Sequence, residues 1–444
     1  MITFDRVLPE LIRICQEDVA SRQAIDRYCV VRDVRGRVRL VTDLRDVAFS
    51  LAGLERLLAA ALGDYFVGPI LSTATGDEIA RLAKQLLDRS KDQWPSGWPA
   101  SSRNLLGGAE TAIGARERWT GIERTIGKDA WLSTSPPKPP WPLIPNKTPP
   151  IITFHSFKGG VGRTTLLASY AIQLANRTPA LRVAIVDLDL EAPGVGSLLG
   201  ATGERGVLDI LVDHIATGRI DLEGAATPAL LGGDLDRNIT VFTAGALNPA
   251  YLQKLARLDF SSIEPGEHNP VGLALAAMLK QIKAEFDVIL LDARAGLHDL
   301  AGMSLHGLAH VDVLVFRGTE QNLLGLGEAL RTLGDRADEP VLVLVETLLP
   351  TQDDEFESRR RRTRERVYEL LCRYIYPDDD PPQFGDVGEP HDVVTVRRRE
   401  WLDGVDTLRD RVQAVLNEVE FRDVARRIDD AWQRESDGDI ESES

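Results

Sequence analysis

From Ile151 onward, short and nearly continuous apolar runs alternate with longer segments of helical periodicity. The runs are Ile151–Ser156, Val183–Asp187, Ile239–Thr243, Val288–Asp292, Val311–Phe316 and Val341–Val345. A strand with one wet face alternates apolar and polar residues, whereas these runs do not, so they predict strands buried on both faces. The amphipathic stretch Leu166–Leu174, opening after the first run, predicts one of the helices between them. Strand–helix alternation of this kind predicts an α/β fold, a mostly parallel, doubly wound sheet with helices on both sides. The chain before this region reads differently. Phe4–Glu17, Leu51–Leu62 and Glu78–Leu87 have helical spacing. Tyr28–Arg32 and Val38–Thr42 read as strands joined near Arg35-Gly36, a hairpin signal. Together they predict a small α/β N-terminal domain, with Trp94, Trp98 and Trp119 as local packing.

Between the two patterns lies Ser135–Pro150, dense in proline. Proline fixes φ and removes a backbone donor, so neither a helix nor a central strand runs through it. It suits a stiff spacer, and it also has the composition of a polyproline ligand for an aromatic groove. The expected organisation is therefore a domain over residues 1–133, a linker over 134–150, a second domain over 151–435 and an acidic tail over 436–444.

The distinctive chemistry lies at the ends of the predicted strands, where open α/β sheets bind ligands. After the first strand comes His155-Ser-Phe-Lys-Gly-Gly-Val-Gly-Arg-Thr-Thr165. Strand, glycine-rich loop and helix are the setting of a phosphate-binding loop. Gly159, Gly160 and Gly162 lack a Cβ and let backbone N–H groups approach phosphate oxygens, with the helix N-terminus adding positive potential. The expected nucleotide contacts are Lys158, Gly159, Gly160, Val161, Gly162, Arg163, Thr164 and Thr165. Thr164 stands where such a loop places its Mg²⁺-holding hydroxyl. Arg163 stands where the phosphate-binding lysine is usual, and guanidinium forks bidentately where ammonium is a point charge. Asp187 and Asp189 lie two residues apart and share one side of extended chain. Carboxylates beside phosphates repel them unless a cation intervenes, and Mg²⁺ suits the arrangement. Asp292 ends the run Val288–Asp292 and suits an outer-shell Mg²⁺ contact. Arg294 has a phosphate or a neighbouring carboxylate as its alternative partners.

The three segments 156–165, 187–194 and 292–297, in this order, resemble a bacterial subset of the ParA/MinD-like deviant Walker A ATPases, over about residues 151–350. In that subset arginine in the loop is usual. The resemblance implies a P-loop fold, ATP and Mg²⁺ as cofactors, and a homodimer that sandwiches two nucleotides. By the same resemblance, Lys158 reaches the partner's phosphates, Asp187 helps hold Mg²⁺ and Asp189 positions the attacking water. The catalytic set is then Lys158, Arg163 and Asp189, and the metal set Thr164, Asp187 and Asp292. The implied function is a slow ATPase switch that signals to a protein partner through the N-terminal domain, in a bacterial signalling or defence system. A nucleotide-binding scaffold with little turnover and a ParA-like DNA-partitioning ATPase are the alternatives. The adenine-contacting Asn of better-known relatives has no evident counterpart in Val341–Leu348.

Composition narrows the partners. The chain has 444 residues, 43% of them hydrophobic, and a net charge of −16, which argues against broad adhesion to nucleic acid or anionic lipid. Arg359–Arg366 and Arg397–Arg399 are local exceptions; a solvated helix face paired with acids is the favoured reading of the first, and nucleic acid the other. The acidic end differs from the basic amphipathic helix of MinD-type membrane attachment, and no apolar run has membrane-spanning length, so no membrane role is expected. Cys15, Cys29 and Cys372 lack metal-ligand spacing, and the start lacks a signal-peptide pattern, which predicts a cytoplasmic protein. His306 and His310 are four residues apart, with packing favoured over a zinc site.

Overall fold

The computed structural model describes residues 2, 4–32, 37–74, 80–81, 83–84, 87, 119–123, 139–144, 147–258, 270–296, 307–334, 340–349, 356–377 and 380–442. The expectations for the Arg35-Gly36 turn, Trp94, Trp98, His306, residues 135–138 and most of Glu78–Leu87 lie outside this set. The chain divides into two compact units, Met1–Thr125 and Ile126–Ser444.

In the first unit, β1 (Ile25–Arg32) pairs antiparallel with β2 (Val38–Leu44), from Ile25 opposite Leu44 to Arg32 opposite Val38. β3 (Leu71–Ser72) and β4 (Trp119–Glu123) complete a four-stranded sheet in the order β3-β2-β1-β4. Helix α1 (Phe4–Glu17) and α2 (Ala52–Leu62) bury Val7, Leu11, Leu54, Leu58 and Leu62 with Ile25, Tyr28, Val30 and Leu40. Trp119 is buried and stacks on Tyr28, ring centroids 4.2 Å apart and planes 6° apart.

The second unit is built on an eight-stranded sheet in the order β12-β11-β10-β5-β9-β6-β8-β7. Its strands are β5 (Ile151–His155), β6 (Val183–Asp187), β7 (Ala226–Pro228), β8 (Ile239–Phe242), β9 (Val288–Asp292), β10 (Val311–Phe316), β11 (Leu342–Leu349) and β12 (Val394–Arg397). All neighbours pair parallel except the edge strand β7, which runs antiparallel to β8. Side chains alternate between faces with period two, and both faces are covered. On one face Ile152, Phe154, Val183 and Ile185 pack against α3 (Arg163–Ala175) and α8 (Val419–Ser442). On the other, Ile151, Ala184, Val186, Ile289 and Leu291 pack against α4 (Val207–Thr217) and α5 (Pro270–Ile282). Leu314, Phe316, Leu342 and Leu344 meet α6 (Glu320–Gly334) and α7 (Phe356–Tyr374).

Strand β5 lies between β9 and β10, so the chain crosses over it after β9. That reversal is the switch point at which open α/β sheets form a crevice at their carboxyl ends. The segment before β5 is also fixed. Trp141 and Leu143 are buried, and the Trp141 indole Nε1 donates to the Pro149 carbonyl at 2.9 Å. The Ile151 N–H donates to His310 Nδ1 at 2.8 Å, which leaves His310 Nε2 to donate to the Trp141 carbonyl at 3.0 Å. Both ring nitrogens of His310 are thus engaged in packing this segment.

Candidate functional site

The carboxyl ends of β5, β6 and β9 converge by register. Phe154 lies opposite Asp292, and Asp187 opposite Asp292, so both aspartates flank the start of the glycine loop. In the loop, Gly160 and Gly162 adopt φ of 70° and 83°, which side chains disfavour. A Cβ built on Gly159, Gly160 or Gly162 meets no atom within 4 Å. The space beside these three glycines is therefore open, which leaves the loop backbone accessible to a group such as phosphate. Gly162 caps the N-terminus of α3, directly before Arg163, Thr164 and Thr165.

Arg163 is buried and engages both strand ends. Its Nε donates to Asp292 Oδ1 at 2.7 Å, and its Nη2 donates to Asp189 Oδ2 at 3.0 Å. The Thr164 hydroxyl donates to Asp292 Oδ2 at 2.8 Å. The Asp189 N–H donates to Asp187 Oδ1 at 3.1 Å, and the Leu188 N–H to the Asp292 carbonyl at 3.1 Å. One network thus joins the helix start, the end of β6 and the end of β9. Burial opposes the Arg163 charge, but Asp292 and Asp189 more than offset it and hold its pKa above the usual value. Burial raises the pKa of Asp187 well above the carboxylate range, and Asp292 beside it adds to the shift. Burial also raises the pKa of Asp292, against the opposing pull of Arg163 and Thr164. His155, at the end of β5, is buried with neither ring nitrogen bonded among the described residues; burial and then Arg163 lower its pKa to about 3, so it is neutral.

Lys158 is placed differently from Arg163. It is exposed, with its Nζ 5.4 Å from the centroid of the Phe157 ring. Phe157 packs so closely on α6 that a Cβ on Gly325 would lie 1.9 Å from its Cγ. Val161 is held from the other side, where the Thr347 hydroxyl donates to its carbonyl at 2.6 Å and reaches that of Phe316 at 3.2 Å. Arg294 pairs with Glu191, which is the carboxylate alternative of its two expected partners. Tyr251 donates its hydroxyl to the Leu190 carbonyl at 2.7 Å and so braces the loop after Asp189.

Thr164, Asp187 and Asp292 present oxygen donors on adjacent strand and helix ends, a donor set of the hard-oxygen type that Mg²⁺ takes. Among the described residues no group of three or more His, Cys, Asp or Glu side chains is arranged to hold a metal ion, so the hydroxyl of Thr164 is part of any such donor set here. Thr347, Gly325 and Tyr251 were not singled out from sequence. The signal for Thr347 is the polar Glu346-Thr347 pair at the end of an apolar run; Gly325 and Tyr251 leave none.

No family profile matches the chain. Two curated proteins do. A ParA family protein of Mycoplasma pneumoniae is 26% identical over 228 residues, which cover 50% of this chain and 76% of that protein. A ParA family protein of Mycoplasma genitalium is 25% identical over 207 residues, 46% of this chain and 71% of that protein. Among solved structures, pNOB8 ParA aligns with 63% of this chain and 99% of its own, at 18% identity and a TM-score of 0.42. The cell division ATPase MinD of Pyrococcus furiosus aligns with 48% of this chain and 79% of its own, at 24% identity and a TM-score of 0.36.

Proposed function

Since the chain belongs to the ParA/MinD-like family, we propose that it is a Mg²⁺-dependent ATPase switch that changes state with its nucleotide. The observation that carries this reading is the shared network of Arg163, Thr164, Asp189 and Asp292 beside the glycine cradle. The backbone N–H groups of 159–162 would bind the phosphates, and Thr164, Asp187 and Asp292 would hold Mg²⁺. When bound, Mg²⁺ offsets the charge of the carboxylates and the triphosphate. Asp292 and Asp189 then no longer need Arg163 as counter-ion. The guanidinium exchanges them for phosphate oxygens, which it matches bidentately. Asp189, released from that ion pair, orients the water that attacks the terminal phosphate. Catalysis is positional and electrostatic, as phosphoryl transfer requires. Lys158, exposed beside the loop, contributes to the nucleotide of a second copy, and the N-terminal unit engages a protein partner.

A second reading, a nucleotide-binding scaffold with little turnover, is favoured by the same ion pairs, because each one must break before Arg163 reaches a phosphate. A DNA-partitioning role draws less support. Arg361 pairs with Glu365 at 2.9 Å and Arg366 with Glu369 at 2.6 Å, so two of the six arginines in Arg359–Arg366 are closely paired along their own helix. Single-turnover phosphate release with excess protein separates switch from scaffold. The switch hydrolyses ATP with Mg²⁺ and loses this with Thr164→Ala and with Asp187→Ala. Binding without release in the unaltered chain identifies the scaffold, and undiminished Mg²⁺-dependent release in both variants removes the metal assignment.

A further inference from the structure

A cleft of about 550 Å³ opens between α7, β12 and α8, lined by Arg360, Arg364 and Arg397 with Phe356, Val387 and Val393. That volume is within the range of small-molecule sites. Its carboxylates are unevenly engaged. Glu420 is held by Arg397 at 2.7 Å and by Arg399 at 2.9 Å, and Asp423 by Arg426 at 2.6 Å. Arg360 and Arg364 have no carboxylate as close among the described residues, although Arg364 Nη2 donates to the Val393 carbonyl at 3.0 Å. Glu357 approaches Arg360 only to 3.9 Å, and Asp392 approaches Arg364 only to 3.5 Å while sharing itself with Arg427 at 3.5 Å. Charge-assisted pairs close to about 2.7–2.9 Å when they form fully. The Nε atoms of Arg360 and Arg364 are buried and bonded to nothing among the described residues. The two side chains are one turn apart on α7 and therefore share a face. Burial and then the neighbouring Arg360 lower the pKa of Arg364, against the opposing pull of Asp392, Glu346 and Glu357.

From this we propose that the cleft binds a phosphorylated small molecule, with Arg360 and Arg364 gripping the phosphate and the Phe356 side of the cleft receiving the organic part. Two guanidinium groups one turn apart, with donors to spare, match a phosphate or diphosphate bidentately. A concave site with an apolar wall suits a small molecule better than a duplex, whose backbone is met by exposed side chains. The cleft is separate in sequence from the glycine loop, and its reading does not rest on that of the loop. The two nonetheless meet at one strand end. Thr363, between the two arginines, donates to Glu346 Oε1 at 3.2 Å, and the next residue, Thr347, holds the Val161 carbonyl of the loop at 2.6 Å.

The test uses the full chain and radiolabelled pyrophosphate in equilibrium dialysis, with the glycine loop saturated by a non-hydrolysable ATP analogue and Mg²⁺. The unaltered chain retains pyrophosphate binding under these conditions. Arg360→Gln/Arg364→Gln weakens it by about tenfold or more, the scale of lost charged hydrogen bonds. Val387→Trp, at an 86% exposed lining position, blocks the cleft without disturbing buried structure and has the same effect. It serves as the control if the double variant melts early. If the analogue displaces all pyrophosphate, or if Val387→Trp binds as the parent does, the proposal fails. Competition by duplex DNA alone, lost in Arg361→Gln/Arg362→Gln, overturns it in favour of a nucleic-acid surface.

Discussion

Arg163 spans two buried carboxylates that repel one another, and its removal leaves Asp292, 1% exposed, without a counter-ion. Removing one partner of a buried pair costs about 3–5 kcal/mol. Arg163→Ala should lose stability on that scale in urea denaturation without nucleotide. Arg163→Lys, which cannot span both carboxylates, should lose less. Mg²⁺ should restore part of the loss in the alanine variant, because it supplies the missing positive charge. A loss below about 1 kcal/mol would place the guanidinium elsewhere. Glu346 makes a second residue-level prediction. Burial pushes its pKa from 4.5 up to about 7, against the opposing effects of Thr363, Arg360 and Arg364. The folded chain therefore holds this proton more tightly than the unfolded chain. Stability is highest below the unfolded value, falls as pH rises through that interval, and stays reduced above about 7. Glu346→Gln keeps an acceptor for Thr363 and does not titrate. Relative to that variant, the parent should lose up to about 3 kcal/mol between pH 4.5 and 7.5. A pH-independent difference between the two would mean that the carboxyl is not perturbed.

At the scale of elements, the glycine loop is clamped between α6, through Phe157 at Gly325, and the end of β11, through Thr347 at Val161. Gly325→Ala would put a methyl 1.9 Å from Phe157 Cγ, so helix or loop must shift. The expected cost is about 1–3 kcal/mol, with weaker binding of an ATP analogue. Phe157→Ala in the same chain should recover part of both, and calorimetry with denaturant melts reads the coupling. This clamp was invisible in sequence, because a glycine inside a helix pattern does not say which ring it admits. The sheet was largely legible. All six runs from Ile151 onward became strands in one sheet, since double burial leaves an unbroken apolar signature. Two edge strands were not. Ala226–Pro228 is short and partly exposed, and Val394–Arg397 is only partly buried, so neither carries that signature. Strand β11 runs on to Leu349 rather than stopping at Val345. Its polar Glu346 and Thr347 break the apolar run, yet both are buried: Thr347 donates to the Val161 and Phe316 carbonyls, and Thr363 donates to one of the two Glu346 oxygens. The meeting of the strand ends was likewise legible, since Asp187 and Asp292 lie opposite one another on neighbouring strands. That Arg163 would bind Asp189 and Asp292 was not, because pairing across β6 and β9 is set by strand order rather than by spacing in the chain.

For the whole molecule, charge frames the question of self-association. A chain of net charge −16 carrying a triphosphate repels its own copy, so a dimer built around nucleotide needs a cation at the contact. Lys158 is exposed beside the loop while Arg163 is committed to its own chain. In sedimentation velocity runs with a non-hydrolysable analogue and Mg²⁺, the unaltered chain should dimerise, and Lys158→Ala should dimerise less while its monomer still binds the analogue. Equal dimerisation of the two, or none at saturating nucleotide, removes the sandwich. A last consequence comes from the segment before β5, where Trp141 is pinned by His310 and Pro149. Strand β5 is hydrogen-bonded along both edges, to β9 and to β10. A pull along residues 139–150 is therefore borne first at Trp141 and His310, and then in shear by two ladders at once. That segment is anchored at Trp141 before it reaches the glycine loop. Whatever tugs upstream of Trp141, the loop feels little of it, and inserting flexible residues ahead of Pro139 should leave nucleotide affinity where it was.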